Sequence, residues 1–188
     1  MLSKLSIWFH SWAKGWIVII LFVALVTFMV ITIPNGLKKI QAVSNAGTNS
    51  LDTHFFYTPE KAYSLLSSYG DAGRILYRNG LLTIDIIIPL LYTLFLSQFI
   101  SWLFQRSFNS QSKLQKLNVL PVGIGIFDIL ENIGIVTMIS IYPVQSDIIA
   151  WASSIFTMTK LSLAIIAVLL VLIGIVKASS NRFKKQFA

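Results

Sequence analysis

The pattern of apolar and polar positions divides the chain into four long apolar stretches joined by polar segments of unequal length. Between Lys14 and Lys38 no charged residue occurs, and Trp16 to Ile33 is apolar, long enough to cross a hydrocarbon core of about 30 Å. Three further stretches follow, and the predicted spans are about 15–34, 81–104, 118–142 and 150–176. The first run is longer than a usual secretory signal core, and no small-x-small cleavage site follows Ile33 promptly. It is therefore expected to stay as a helix. The expected fold is all-α: a polytopic membrane protein with four transmembrane helices in a bundle, forming one transmembrane domain over residues 1–188.

The connection from Pro34 to Gly80 carries a pattern of its own. Residues 44–50, rich in Ser, Asn and Gly, read as flexible. Thr58-Pro59-Glu60 reads as a helix start, with a hydroxyl cap, Pro at the first helical position and an acid in the first turn. Ala62, Leu65, Leu66 and Tyr69 then recur at i, i+3, i+4 and i+7, which puts them on one helical face. Gly70 should stop that helix, and Asp71 should cap a second turn from Arg74 to Arg78 before Asn79-Gly80 breaks the chain. Residues 58–79 are thus expected as an amphipathic helical insertion between spans one and two, either packing against the bundle or closing over a cavity. Tyr57, Tyr63, Tyr69 and Tyr77 suit a membrane interface, ring in lipid and hydroxyl in water.

Composition and charge narrow the class. The sequence is 55% hydrophobic and only 12% charged, about half the charge of a soluble domain. It has no Cys, which removes disulfides, thiolate zinc sites and thiol nucleophiles. The net charge of +8 is concentrated at span ends. Lys4 and Lys14 precede span one, Arg106, Lys113 and Lys116 separate spans two and three, and Lys177, Arg182, Lys184 and Lys185 follow span four; Pro143 to Ile149 has no basic residue. The long first connection counts less in this comparison. Both termini are expected in the cytoplasm, the membrane is expected to be a bacterial inner one, and the basic residues are expected to meet anionic lipid heads. No basic patch suggests nucleic acid.

The chemistry lies in polar residues within the spans. Asp85, Asp128, Glu131 and Lys160 each fall inside an apolar stretch, where an ionisable side chain costs at least about 2.5–3.5 kcal/mol at the centre. Asp128, Glu131 and Asn132 stand at i, i+3 and i+4, so they share a side of span three that has to face the bundle interior. Ser153, Thr157, Lys160 and Ala164 form a stripe on span four, and Asp85, Pro89 and Tyr92 align on span two. Glu131 and Lys160 lie at similar depth and should meet near the midplane, with Asp85 nearer the outer end and Arg74 and Arg78 beyond it. Three acids then face one Lys. Balance requires protonated carboxyls, an inward-folded Arg74 or Arg78, or a bound cation or basic ligand group. Pro89 should free the Asp85 carbonyl, four residues back, and kink span two. His10 and His54 are the only histidines and lie outside the spans, and Asp128-x-x-Glu131 has no second acidic motif to make a magnesium site. No metal or other cofactor is expected.

The ordered motifs Thr58-Pro59-Glu60-x-Ala62, Gly70-x-x-Gly73-Arg74-x-x-Tyr77, Asp85-x3-Pro89-x2-Tyr92, Asp128-x2-Glu131-Asn132, Tyr142-Pro143 and Thr157-x2-Lys160 resemble a group of small bacterial four-helix membrane proteins to which no activity is attached. The outline is also faintly similar to the sterol-isomerase and sigma-two-receptor type, through an acid shortly before a Pro in span two. Isomerases of that type use a His and paired glutamates, and this chain has no intramembrane His. Three functional expectations follow. The first is an intramembrane site, opening outward, that binds or acts on a lipophilic small molecule, with Asp85, Asp128, Glu131 and Lys160 as acid–base or charge network and Tyr92, Asn132, Thr157, Arg74 and Arg78 as ligand contacts. The second is an accessory subunit docked on a membrane-protein partner, its polar core specifying packing. The third is a proton or cation pathway. The lipid bilayer is a partner in all three.

Overall fold

The computed structural model describes residues 2–44 and 50–186, which form seven α-helices, two short 3-10 turns and no strand. The helices are α1 (Leu2–Trp12), α2 (Gly15–Gln41), α3 (Pro59–Ser68), α4 (Gly70–Leu81), α5 (Ile84–Ser107), α6 (Leu120–Ile141) and α7 (Asp147–Gln186). The stretches containing α2, α5, α6 and α7 are each long and apolar enough to cross a membrane. The chain is therefore an integral membrane protein built as a four-helix bundle. Residues 45–49, within the stretch read as flexible, lie outside the described residues.

Two helices run well past their predicted ends. Pro34 sits inside α2, which continues to Gln41; Pro deprives the helix of one hydrogen bond, while Ile40 packs on the core of the insertion and anchors the last turns. α7 continues through the basic tail, where the Lys177 ammonium lies 4.8 Å from the centre of the Phe108 ring. A helix that the apolar pattern did not show, α1, packs on the 3-10 turn Lys113–Val119 and on α5. Asn118 ties them together, its amide donating to the Ser6 carbonyl at 3.1 Å and to the Ser101 hydroxyl at 2.8 Å.

The insertion forms as its caps predict. The Thr58 hydroxyl accepts from the Lys61 amide at 3.3 Å, with Pro59 in the first turn. Gly70, at φ +64°, turns the chain from α3 into α4. A left-handed residue is there cheapest as Gly. The predicted face of α3 is buried, but in protein: Ala62, Leu65, Leu66 and Tyr69 share one core with Ile135, Met138 and Ile139 of α6 and Ala150 of α7. The interfacial reading of the tyrosines is corrected. Tyr57, Tyr63, Tyr69 and Tyr77 are all buried. The Tyr63 hydroxyl donates to the Ser146 carbonyl at 3.3 Å and accepts from its amide at 2.6 Å, which pins the α6–α7 connection. An aromatic ring with one polar tip serves a wet interface and a hydrogen-bonded core equally well, so residue type alone did not decide.

Close approach within the bundle rests on small residues, as expected for membrane helices. A Cβ on Gly134 would collide with the Ser153 hydroxyl of α7, and one on Gly125 would come within 2.5 Å of the Thr93 hydroxyl of α5. Gly134→Ala is expected to destabilise by about 1–3 kcal/mol through overpacking, with partial recovery in Gly134→Ala/Ser153→Ala. Denaturant unfolding in detergent measures both.

Candidate functional site

The three polar stripes converge on one cluster. On α7, Lys160 points at α6, where its ammonium lies 3.0 Å from Asp128 Oδ1 and 2.5 Å from Glu131 Oε2. Asp128 accepts a second bond, at 2.8 Å, from the Tyr92 hydroxyl of α5. Glu131, with no exposed surface, accepts from the Thr157 hydroxyl at 2.6 Å. Thr157 also bonds the Ser153 carbonyl one turn back. Its place one turn before Lys160 on α7, like that of Glu131 one turn after Asp128 on α6, follows from the helical repeat. A chain of contacts Tyr92–Asp128–Lys160–Glu131–Thr157 thus bridges α5, α6 and α7.

Asn132 joins the same cluster through backbone. Its amide donates to the Asp85 carbonyl at 2.7 Å, the group that Pro89 cannot satisfy because Pro has no N–H. This leaves the Asp85 carboxylate free for other use. No hydrogen bond or ion pair reaches that carboxylate from the described residues, although it lines a cavity of about 680 Å³.

The cavity opens at the end of the bundle that carries α3 and α4. One wall is the last turns of α2 from Ile31 to Ile40; the others are Asp52, Tyr77 and Gly80 of the insertion and the start of α5. Asp85, Asp128, Asn132 and Lys160 form its polar floor, while Glu131 is buried behind it. Lys39 is the basic residue of the lining other than Lys160 and stands exposed. The cavity is therefore apolar along one side and acid-rich at its base.

Arg74 and Arg78 take no part in it. The Arg74 guanidinium donates to the Leu66 carbonyl at 3.0 Å, pairs with Asp71, and lies 3.9 Å from the centre of the Tyr142 ring. Arg78 does not line the cavity either, and its Nε is buried without a hydrogen bond. Neither arginine balances the three acids.

Two site residues are not among those the sequence pattern assigns to the site. Asp52 lines the cavity and accepts from the Tyr77 hydroxyl at 3.3 Å. Tyr57 inserts from the insertion into the bundle: its amide donates to the Ser154 hydroxyl at 3.0 Å, and its own hydroxyl lies beside Ser153 and Thr157 at a geometry too poor for a hydrogen bond. Burial pushes the Tyr57 phenol well above the ordinary tyrosine range, so it stays neutral. A signal for Tyr57 did exist. It stands just before the Thr58 cap and five residues before Ala62, the spacing of a hydrophobic staple, and both are in the buried core.

In chemical terms Asp128, Lys160 and Glu131 are engaged with one another, and the Asp85 carboxylate, on the cavity lining, receives no hydrogen bond or ion pair from the described residues. A carboxyl at the base of an apolar cavity can hold a cation or hydrogen-bond donor, or exchange a proton with one. Compared with known proteins, the chain gives no significant match to any family model, curated protein sequence or solved structure.

Proposed function

We propose that the protein binds a lipophilic small molecule bearing a basic or hydrogen-bond-donating group, with that group on Asp85 and its apolar body against the last turns of α2. The observation that carries this reading is the meeting of a cavity of about 680 Å³, within the range of about 300–1,000 Å³ usual for ligand pockets, with a carboxylate that no described residue bonds or pairs with. Tyr92, Asn132 and Thr157 hold the acids and the backbone around it rather than touching the ligand first. The setting is a bacterial cytoplasmic membrane with both termini inside, since Lys14, Arg106, Lys113, Lys116 and Lys177 lie at the end opposite the insertion, and Lys38, Lys39, Lys61, Arg74 and Arg78 belong to the long first connection, which counts less. The cavity then opens outward.

Native mass spectrometry of protein extracted in mild detergent tests this. A small molecule is expected to co-purify with the wild type, and its occupancy is expected to fall at least tenfold in Asp85→Asn, while the melting temperature stays within a few degrees of the wild type. A second reading, an accessory subunit whose polar core specifies helix packing, draws on the mutual pairing of Lys160, Asp128 and Glu131. A stoichiometric protein partner with no small molecule would favour that reading and overturn the first.

A further inference from the structure

The cavity does not end at its polar floor. Ile31 and Thr32 of α2 line it and also line a second, apolar groove of about 620 Å³ that follows α2 down to Ile19. The groove is shaped by the small side chains of Ala24 and Thr27 between larger ones. It lies on a helix that buries only Val18 and Leu25 and packs chiefly on α5 and α4, so it faces the bilayer. The one polar group at the junction is quiet, because the Thr32 hydroxyl donates to the Phe28 carbonyl at 2.7 Å. From Thr32 to Ile19 the groove extends about 20 Å, more than the roughly 15 Å of hydrocarbon in one leaflet. An acyl chain of ordinary membrane length fits along it without leaving the lipid.

The two recesses together have the form of an amphiphile, with a polar head site and a chain site that meet at Ile31 and Thr32. The head site selects by charge. An anionic head on the floor would face Asp85 and Asp128, where the cation, Lys160, is already held between Asp128 and Glu131, while Lys39, the other basic residue of the lining, stands exposed on the α2 wall. A neutral alcohol would leave Asp85 without a counter-charge. An ammonium matches, since an ammonium–carboxylate hydrogen bond is about twice as strong as a neutral one. Resting on the proposed cavity function, we infer that the ligand is a long-chain amine drawn sideways from the leaflet on the insertion side, its ammonium on Asp85 and its chain in the α2 groove.

The experiment uses the full chain in phosphatidylcholine nanodiscs, with hexadecylamine, hexadecanol, hexadecanoic acid and butylamine as probes and occupancy read by native mass spectrometry. Hexadecylamine is expected to bind at least tenfold more tightly than each of the other three. Asp85→Asn is expected to remove the preference for amine over alcohol. Ala24→Phe fills the groove at an exposed position, so it spares the bundle packing; it is expected to weaken hexadecylamine about tenfold and leave butylamine unchanged. Adding phosphatidylethanolamine to the disc separates two sources of the same head chemistry: competition points to the bilayer lipid, and its absence to a free amine. Equal binding of butylamine and hexadecylamine, or an Ala24→Phe variant that binds as the wild type does, overturns the chain groove while the cavity reading stands. A preference for hexadecanoic acid overturns the amine. Failure of every probe, with nothing co-purifying, overturns the cavity reading itself.

Discussion

Lys160→Met is expected to destabilise the bundle by about 3–5 kcal/mol, the range for removing one partner of a buried ion pair. Lys160 contacts two carboxylates at 3.0 and 2.5 Å, and Glu131 has no exposed surface. Without the ammonium, Glu131 keeps only the Thr157 hydroxyl and Asp128 only the Tyr92 hydroxyl. A single neutral donor does not offset the removal of a carboxylate from water. Glu131→Gln should be milder, because the amide oxygen can still accept from Thr157 and Lys160 keeps Asp128. In Lys160→Met/Glu131→Gln part of the loss is expected to return, giving a coupling of about 1–3 kcal/mol between the two positions. Denaturant unfolding in detergent measures the cycle. A Lys160→Met variant as stable as the wild type would mean that the cluster is not held as a charged pair. This measurement concerns the frame of the site and is separate from ligand binding, which turns on Asp85.

The residues that form this frame were legible because they break the rule of their surroundings. A charged side chain in an apolar span is costly enough to stand out, and the helical repeat then states which charges share a side. That reasoning brought Asp128, Glu131, Asn132 and Lys160 together and placed Asp85 above them, and the structure shows them so arranged. The fold class was legible for the same reason, since length and hydropathy decide whether a helix can span. What was not legible depends on docking between segments far apart in sequence. Periodicity gave the buried face of α3, but the surface it meets is the open end of α6 and α7. An inward-folded Arg74 or Arg78 was one of three ways to balance the acids; after the turn at Gly70, Arg74 instead lies over Tyr142. Tyr57 and Asp52 reach the site only because the insertion folds back over the bundle. No local pattern encodes that return.

The junction of Pro89 and Asn132 shows how a helix defect serves the site, and it gives the second large expected effect. Asn132→Leu removes the donor to the Asp85 carbonyl and leaves a carbonyl in the first turn of α5 without its bond, at a cost of about 1–3 kcal/mol. The loss should depend on Pro89. In Pro89→Ala the new N–H at 89 can donate to the same carbonyl, restoring the helical i to i−4 bond, and Asn132 then becomes redundant there. The effect of Asn132→Leu is therefore expected to fall by at least about 1 kcal/mol in the Pro89→Ala background, well beyond the roughly 0.3–0.5 kcal/mol within which independent sites add. Simple additivity would show that Asn132 serves some group other than this carbonyl. The same substitution bears on function: closing the i to i−4 bond in the first turn is expected to move the Asp85 carboxylate relative to the floor formed by Asp128 and Lys160. Ligand occupancy in Pro89→Ala is then expected to fall even though the helix gains a hydrogen bond. A site variant that gains backbone bonding and loses binding is what an arrangement predicts in which Pro89 opens the helix, Asn132 closes the gap with a side chain, and Asp85 is left facing the cavity.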